Sequence, residues 1–249
     1  MADKVGKVVG ILMTYNCARS VERTYRSIPK EHFDEIIVVD DESSDDTVEV
    51  ARGLGLRVFT HPHTGYGGNL FVGFKEALKL GAAVMVELHG DGQYDFSPSP
   101  LAIEKMRKGC DLILGNRFHE WKQPLRDGMD WARYSGNIFL STIGRFGLGI
   151  DTRDLFPGFR VYSRRFVENL DISRTSQDYF FSFEIIAQAK YCNLNIDKVP
   201  VRCDYKQEHS SMKLYKGFPA ILHTCWTVIL YRLACLGFRR GIFATVKRI

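Results

Sequence analysis

The sequence predicts an α/β fold built on a mostly parallel sheet. Through the first half of the 249 residues, apolar runs of strand length alternate with helix-like segments, which is typical of parallel sheets with helices between the strands. Polar residues follow three of these runs, at Thr14-Tyr15-Asn16, Asp40-Asp41 and His89-Gly90-Asp91. Because ligands in open α/β sheets bind beyond the carboxyl ends of the strands, the pattern also indicates where a site would lie.

The elements of the first half can be placed in order. Strands are predicted at residues 8–13, 35–39, 56–59, 82–88 and 111–114, where short runs are mostly apolar. Helices are predicted at 18–28, at 45–52 and at 70–80. Ser44 or Asp45 is a suitable N-cap for the second of these helices, and Gly53 and Gly55 would end it. Another helix is expected to start at the proline-flanked segment 97–100.

The second half has a different character. Residues 116–135 have few periodic apolar positions and predict a long functional loop. Helices are expected at 134–147, 164–170 and 179–191, a turn at Gly158-Phe159-Arg160, a strand at 196–203 and a polar loop at 204–213. The segment 218–238 is strongly apolar and is followed by arginines and lysines. We expect an amphipathic helix in the plane of a membrane, although a spanning helix and one packed on the globule remain open.

Composition narrows the class of protein. The net charge is +5 and the basic residues are spread along the chain, so no nucleic-acid partner is expected. The six cysteines show neither a CxxC pair nor a disulfide spacing, which favours reduced thiols in a cytosolic protein. The first residues lead straight into a strand, and no signal peptide is expected.

The segment His89-Gly90-Asp91-Gly92-Gln93 is the most informative stretch for chemistry. It offers a carboxylate and an amide oxygen two residues apart, and glycines flank the aspartate on both sides. Hard divalent cations prefer such oxygen ligands, so the loop predicts a metal site that holds a diphosphate. The other two strand ends complete a nucleotide site, in which Asp40 would accept from a base N–H and Asp41 would lie near the ribose.

Five motifs in this order resemble those of inverting family 2 glycosyltransferases, and more narrowly the group of dolichyl-phosphate mannose synthases and polyprenyl-phosphate glycosyltransferases. They are TYN, VVDDESSDDT, HGDGQYD, GNRF and GFRVYSRR, and the resemblance covers roughly residues 7 to 215. It implies a GT-A fold, a Rossmann-like mixed sheet flanked by helices. It also implies transfer of a sugar from a UDP- or GDP-linked donor, with Mg²⁺ or Mn²⁺, to a polyprenyl (dolichyl-type) phosphate.

The resemblance also implies a division of the chain. Residues 1–213 would form the glycosyltransferase domain, in which 1–115 bind the nucleotide sugar and 116–213 the acceptor. Residues 214–249 would form an amphipathic helical tail that associates with the membrane surface. The protein is then expected at the cytoplasmic face of the membrane, as a peripheral or monotopic protein.

Site residues carry over by motif. Asp91 and Gln93 match the metal-contacting positions of the family, and His89 stands where the family usually has the first aspartate of Asp-x-Asp. An imidazole suits Mn²⁺ better than Mg²⁺, so His89 is either a metal ligand or a neighbour of the donor phosphates or of the strand end. The remaining implied residues are the catalytic Asp91, Arg117 and Arg133, and the donor-binding Thr14, Tyr15, Asn16, Asp40, Asp41 and Lys213.

The type of acceptor has two alternatives. A phosphate acceptor is already ionised near neutral pH and needs cations rather than a base, whereas a sugar hydroxyl must lose its proton to a positioned carboxylate. Asp178 and Glu184 lie where such a base would be expected, and Asp178 is equally suited to cap the next helix. A third alternative, a nucleotide-sugar binder without activity, is suggested by the histidine at position 89.

Overall fold

A computed structural model describes residues 6–206 and 217–248 of the chain. Within these ranges one sheet of seven strands forms the centre of the molecule. The strands are β1 (Val8–Thr14), β2 (Glu35–Asp40), β3 (Arg57–Thr60), β4 (Val84–His89), β5 (Leu112–Asn116), β6 (Arg160–Ser163) and β7 (Ile196–Pro200). Their order across the sheet is β3-β2-β1-β4-β6-β5-β7.

The sheet is mixed and mostly parallel, as the sequence predicts. β1 lies parallel to β2 and β4, β2 to β3, and β5 to β7. Only β6 runs the other way, between β4 and β5. The parallel arrangement brings the carboxyl ends of β1, β2 and β4 to the same edge, which is where the predicted site residues follow the strands.

Helices cover both faces of this sheet. They are α1 (Val21–Ser27), α2 (Thr47–Gly53), α3 (Tyr66–Lys79), α4 (Ser99–Arg107), α5 (Gln123–Arg126), α6 (Trp131–Leu148), α7 (Arg164–Asn169), α8 (Phe181–Tyr191) and α9 (Gly217–Cys235). One apolar cluster includes Phe74 of α3 and Phe183 of α8, and a second includes Val21 of α1 and Ile103 of α4. Because both faces are buried, the central strands β1 and β4 are mostly apolar rather than alternating.

The structure corrects three of the predicted elements. Residues 116–135 form short helices and the start of α6 rather than a loop; the Asp130 carboxylate accepts from the Arg133 N–H and caps α6. The predicted turn at Gly158-Phe159-Arg160 leads into strand β6, whose four residues are too short for a clear pattern. α3 begins at Tyr66, four residues earlier than predicted, because its glycines lie against a neighbouring segment.

The apolar segment near the C-terminus is a helix, as predicted. α9 packs against α6 and α8, and it buries one side through Ala220, Thr224, Thr227, Tyr231 and Ala234. Among the described residues, one helical stretch, Phe218–Cys235, has the length and composition that a bilayer-crossing helix would need. Its packing on the globule was one of the alternatives that the sequence left open.

Candidate functional site

The three predicted strand ends meet at one edge of the sheet. The Thr14 hydroxyl donates to Asp40 Oδ1 at 2.8 Å, and the Asp41 N–H donates to the Thr14 carbonyl at 3.1 Å. On the other side of β1, the Gly90 N–H donates to the Met13 carbonyl at 2.9 Å. The loops after β1, β2 and β4 are therefore fixed relative to one another by hydrogen bonds.

Asp40 and Asp41 are both buried, and both hold loops in place. Asp40 accepts from the backbone N–H and the hydroxyl of Ser43 at 2.8 and 2.6 Å. Asp41 accepts from the N–H groups of Thr64 and Gly65 at 2.8 and 2.9 Å, so it fixes the loop after β3. Any contact with a base or a ribose would add to these bonds, and the donor roles of the two residues stay predictions.

Tyr15 and Asn16 form the outer part of this edge. Tyr15 is 51% exposed, and the centroid of its ring lies 4.7 Å from that of His63. Asn16 has a φ of +47°, a conformation that asparagine tolerates better than most residues, and its side-chain oxygen accepts from the Ser44 N–H at 2.8 Å. The rings of Tyr15 and His63 offer an open aromatic surface beside the buried carboxylates of Asp40 and Asp41.

The loop after β4 approaches the backbone of β1 closely. A Cβ at Gly90 would lie 3.0 Å from the Met13 carbonyl oxygen, so a side chain there would disturb the hydrogen bond that joins the two strand ends. Gly92 has a φ of +73°, which glycine adopts without strain. Between them, Asp91 Oδ1 accepts from the Gln93 N–H at 3.0 Å, which turns the loop and directs Asp91 at its apex.

His89 has a partner that the sequence analysis did not identify. Its Nε2 lies 2.8 Å from Glu87 Oε1, and the Glu87 side chain is fully buried. Burial by itself would lower the pKa of His89, but the hydrogen bond and charge of Glu87 raise it above its ordinary value. A neutral ring that donates its Nε2–H to Glu87 keeps the lone pair of Nδ1, and ligating histidines commonly donate their other ring N–H to a carboxylate. Both roles of His89, as a ligand and as a neighbour of the site, therefore stay predictions.

Glu87 is the centre of a buried polar cluster beneath the loop. Tyr66 and Tyr162 donate their hydroxyls to its two oxygens at 2.6 and 2.5 Å. Arg160 lies opposite Glu87 in the pairing of β4 with β6 and is 1% exposed, and its Nη1 contacts the Tyr66 hydroxyl at 3.3 Å. A glutamate within an apolar strand was a signal of such a cluster, but the strand that supplies its partners could not be identified from the sequence.

The donors at the apex of the loop fit a divalent cation that a bound diphosphate helps to hold. Among the described residues there is no group of three or more histidine, cysteine or acidic side chains that could bind a metal. Asp91 supplies one carboxylate, and Gln93 an amide. Mg²⁺ is commonly bound by one or two carboxylates together with substrate phosphates and water, which is the donor set that this loop would share with a ligand.

The structure brings the two predicted arginines together. Arg117 is buried and forms a bidentate ion pair with Asp154, with contacts of 2.7 and 2.9 Å, and its Nη1 donates to the Tyr205 hydroxyl at 2.8 Å. The Arg133 guanidinium lies 5.6 Å from the centre of the Tyr205 ring. Its side chain is 25% exposed, and its Nε is 3.6 Å from Asp130. Arg133 is therefore the more accessible of the two cations.

Both arginines adjoin the loop that carries Asp91. The Asp204 N–H donates to the Gln93 carbonyl at 2.7 Å, so the residue before Tyr205 is joined to the loop. Burial raises the pKa of the Cys203 thiol to about 11, and the charges of Arg117 and Asp91 act on it in opposite directions. The loop that carries Asp91 is thus joined, through Asp204, to the residue that contacts both arginines.

Three other residues were named from the sequence: Lys213, Asp178 and Glu184. Lys213 lies outside the described residues, so its role stays a prediction. Asp178 is exposed and accepts from the Phe180 N–H at 2.9 Å, just before α8. Glu184 is buried in α8 and accepts from Ser176 and His223.

The chain is similar to known glycosyltransferases. The family model described as glycosyl transferase family 2 matches residues 11–171. A polyprenol monophosphomannose synthase of Mycolicibacterium smegmatis is 29% identical over 209 residues, which are 77% of this chain and 75% of that protein. An undecaprenyl-phosphate mannosyltransferase of Micrococcus luteus is 27% identical over 213 residues, with 78% and 82% covered.

A third relative carries a different sugar in its name. The UDP-N-acetylglucosamine–dolichyl-phosphate N-acetylglucosaminyltransferase of Methanococcus voltae is 26% identical over 226 residues, with 83% of this chain and 88% of that protein covered. Among solved structures, glucosyl-3-phosphoglycerate synthase from Mycobacterium tuberculosis in complex with UDP superposes with a TM-score of 0.64 at 18% identity. It covers 95% of this chain and 82% of that one, and it shows a shared fold. The chain belongs to glycosyl transferase family 2, and it is a glycosyltransferase.

Proposed function

We propose that this glycosyltransferase moves a sugar from a nucleotide diphosphate donor to a polyprenyl phosphate, with the help of Mg²⁺ or Mn²⁺. The observation that carries the proposal is the link between the Asp91 loop and the arginine pair: the Gln93 carbonyl accepts from Asp204, and the next residue, Tyr205, contacts both Arg117 and Arg133. The names of the three relatives, which all contain a polyprenyl-type phosphate, support the acceptor.

On the donor side, the diphosphate would lie over the loop after β4. Asp91 and Gln93 would hold the cation, which would neutralise the charge that develops on the departing diphosphate. The exposed ring of Tyr15 offers a surface for the base, and Asp40 and Asp41 keep the loops around it in place. His89, held by Glu87, would face the phosphates.

On the acceptor side, the phosphate would approach the arginine pair. An ionised phosphate can attack the sugar C1 without a general base, but two anions must be brought together. Arg133 is partly exposed and can turn to the acceptor, while Arg117 is held by Asp154 and adds fixed positive charge next to it. Arginine forks match phosphate oxygens well.

The direct test is a panel of UDP- and GDP-sugars offered to the purified protein with a short polyprenyl phosphate. We expect one sugar nucleotide to give a lipid-linked sugar in the presence of Mg²⁺ or Mn²⁺. Turnover should stop with EDTA and resume when the metal is restored. A protein that binds a sugar nucleotide but forms no product with any acceptor would contradict the proposal.

Asp178→Asn separates the two types of acceptor. If the acceptor is a phosphate, the variant should keep nearly full activity, because no proton has to be removed. If the acceptor is a sugar hydroxyl, loss of a general base lowers the rate by about 10²–10⁴-fold. The same assay with a glycan acceptor in place of the lipid provides the comparison.

A membrane-facing surface, formed by α6 and α9, supports a lipid acceptor. α6 exposes Trp131, Phe139 and Phe146, and α9 exposes Leu222, Trp226 and Ile229. Each of these side chains is about half exposed or more, from 48% to 73%. Apolar patches of this kind mark interaction sites, and tryptophans suit the membrane interface.

A contact between α6 and α9 and several nearby arginines are consistent with membrane binding through this surface. Arg232 of α9 donates to the Phe146 carbonyl at 3.1 Å, so the two helices are in direct contact beside an exposed residue of α6. Arg145 precedes the exposed Phe146 in the chain, and Arg239 and Arg240 follow the exposed Phe238. Each arginine near an anionic lipid surface can contribute about 1 kcal/mol. We propose that the protein lies on the cytoplasmic face of the membrane through this surface, with α9 in the plane of the bilayer.

A further inference from the structure

We propose that Glu184 and His223 are positioning residues that connect α9 of the membrane-facing surface to the active-site edge of the sheet. They act through residues 176–180, which we call the covering segment. The inference rests on the proposed function for its physiological meaning. Its structural part, the connection itself, can be tested without turnover.

The covering segment lies directly on the N-terminal end of α3. The Gln177 carbonyl accepts from the N–H groups of Gly67 and Gly68 at 2.8 and 3.4 Å, so it satisfies backbone donors that a helix start leaves without partners. A Cβ at Gly67 would lie 2.8 Å from the Ser176 carbonyl oxygen and 2.7 Å from Phe181 Cβ. The contact is close enough that a shift of the covering segment must be transmitted to α3.

The N-terminal end of α3 is in turn part of the site. Gly65 donates its N–H to Asp41, which holds the loop after β3. Tyr66 donates its hydroxyl to Glu87, and Glu87 holds His89. Asn69 donates from its side chain to the Thr14 carbonyl at 3.3 Å. The start of α3 thus contacts all three strand ends, or the residues that orient them.

Glu184 of α8 holds the covering segment through hydrogen bonds to Ser176. Its Oε2 accepts from the Ser176 N–H at 2.6 Å, and its Oε1 accepts from the Ser176 hydroxyl at 3.0 Å. The side chain is 6% exposed, so these bonds are formed in a largely dry environment, where they are strong and costly to lose. Without the carboxylate, the Ser176 end of the segment would lose both of these bonds.

His223 joins this carboxylate to α9. Its Nε2 lies 2.8 Å from Glu184 Oε1, and its ring stacks on Phe180 with centroids 4.1 Å apart and an interplanar angle of 17°. His223 of α9 therefore contacts the covering segment directly at Phe180. It also contacts Glu184, which binds the other end of the segment at Ser176. Trp226, three residues further along α9, is exposed.

The consequence is a mechanical connection between the membrane-facing surface and the donor edge. When α9 settles against a bilayer, His223 and Glu184 would fix the covering segment and, through it, the start of α3. Glu184 and His223 touch neither donor nor acceptor in this account; they set the position of residues that do.

The test compares hydrogen exchange with and without vesicles made of equal parts of phosphatidylcholine and phosphatidylglycerol. In the wild type, amides of residues 174–181 and 64–69 should exchange more slowly when vesicles are added. The variant His223→Phe keeps the stack on Phe180 and removes the contact with Glu184. It should bind the vesicles as well as the wild type and lose this protection.

Activity gives a second readout, with a water-soluble short-chain acceptor. Vesicles should raise kcat of the wild type about fivefold or more, which is the lower end of typical coupling between sites, and leave the kcat of His223→Phe unchanged. Glu184→Ala should behave like His223→Phe, whereas Glu184→Gln, which can still accept from Ser176 and pair with His223, should restore the response. Leu101→Ala, at an exposed apolar position of α4 outside the membrane-facing surface, should keep it.

The inference would be overturned if His223→Phe and Glu184→Ala respond to vesicles like the wild type in hydrogen exchange. It would also be overturned if vesicles do not protect residues 174–181 of the wild type. A purely structural role for Glu184 and His223 would lower the melting temperature without removing the vesicle response of the protein that remains folded. Absence of any lipid-linked product would contradict the proposed function instead. In that case the hydrogen-exchange result would still test whether Glu184 and His223 connect α9 to the start of α3.

Discussion

At the scale of single residues, the site combines one accessible carboxylate with groups that are held firmly in place. Asp91 stands at the apex of a turn that its own carboxylate closes. Asp40, Asp41 and Glu87 are buried and occupied by hydrogen bonds to their own protein. Their negative charges shape the loops, whereas the charge of Asp91 is the one placed to meet a ligand cation.

Replacing Asp91 by Asn should therefore reduce catalysis without unfolding the protein. A cation between phosphates is worth several kcal/mol in the transition state, so we expect a fall in kcat/KM of about 100-fold or more. Asp95→Asn is the matched control, since Asp95 is exposed in the same stretch of chain, and it should stay within about threefold of the wild type. Equal activity of both variants would exclude Asp91 as a metal ligand.

The two arginines should differ in what their removal costs. Arg117→Ala leaves Asp154 buried without its cation, which costs about 3–5 kcal/mol of unfolding free energy. Arg133→Ala breaks only a partly exposed contact, worth about 1 kcal/mol or less, but should raise KM for the acceptor phosphate about tenfold. Urea unfolding and steady-state kinetics with varied acceptor measure the two effects. A destabilised Arg133→Ala with normal KM would reverse the assignment.

At the scale of elements, close packing of α3 against the covering segment is a specific requirement. Gly67→Ala would place its Cβ against a backbone oxygen and against Phe181, so either α3 or α8 must move. We expect a lower melting temperature and lower activity. Gly136→Ala in α6 is the matched control, because a Cβ there meets nothing within 4 Å. Alanine should stabilise that helix by up to about 1 kcal/mol.

The membrane-facing surface can be tested with the same logic. The double variant Phe146→Glu with Trp226→Glu places two charges on that surface and should reduce binding to anionic vesicles about tenfold or more, since each charge is costly in a lipid environment. Leu101→Glu changes an exposed apolar residue of α4 and should leave binding unchanged. Co-sedimentation with vesicles measures both, and equal losses would show that the effect is one of charge alone.

At the scale of the whole molecule, what could be predicted from the sequence was local. Strands β1, β2 and β4 and the polar residues that follow them are evident because buried parallel strands are apolar and end abruptly at polar residues. The ion pair of Arg117 with Asp154, and the cluster of Glu87 with Arg160, depend on which strands become neighbours. Strand β6 has four residues and runs antiparallel, so neither its presence nor its partner could be deduced from periodicity.

The role of α9 was also beyond local reasoning. Its apolar composition predicted a helix that associates with a membrane. In the structure one side of α9 belongs to the core, and the other side carries exposed apolar residues. Whether a helix packs, spans or lies on a surface depends on which neighbours cover it. The contact of His223 with Glu184 is visible only once α8 and α9 lie side by side.

The central claim is that a divalent cation joins Asp91 to the diphosphate of the donor. Calorimetric titration of UDP and GDP into the protein, with Mn²⁺ or with EDTA, tests it directly. We predict that one of the two nucleotides binds at a single site with Mn²⁺, and that its affinity falls at least about tenfold with EDTA or in Asp91→Asn. Binding of equal strength in EDTA and in the variant would contradict the claim.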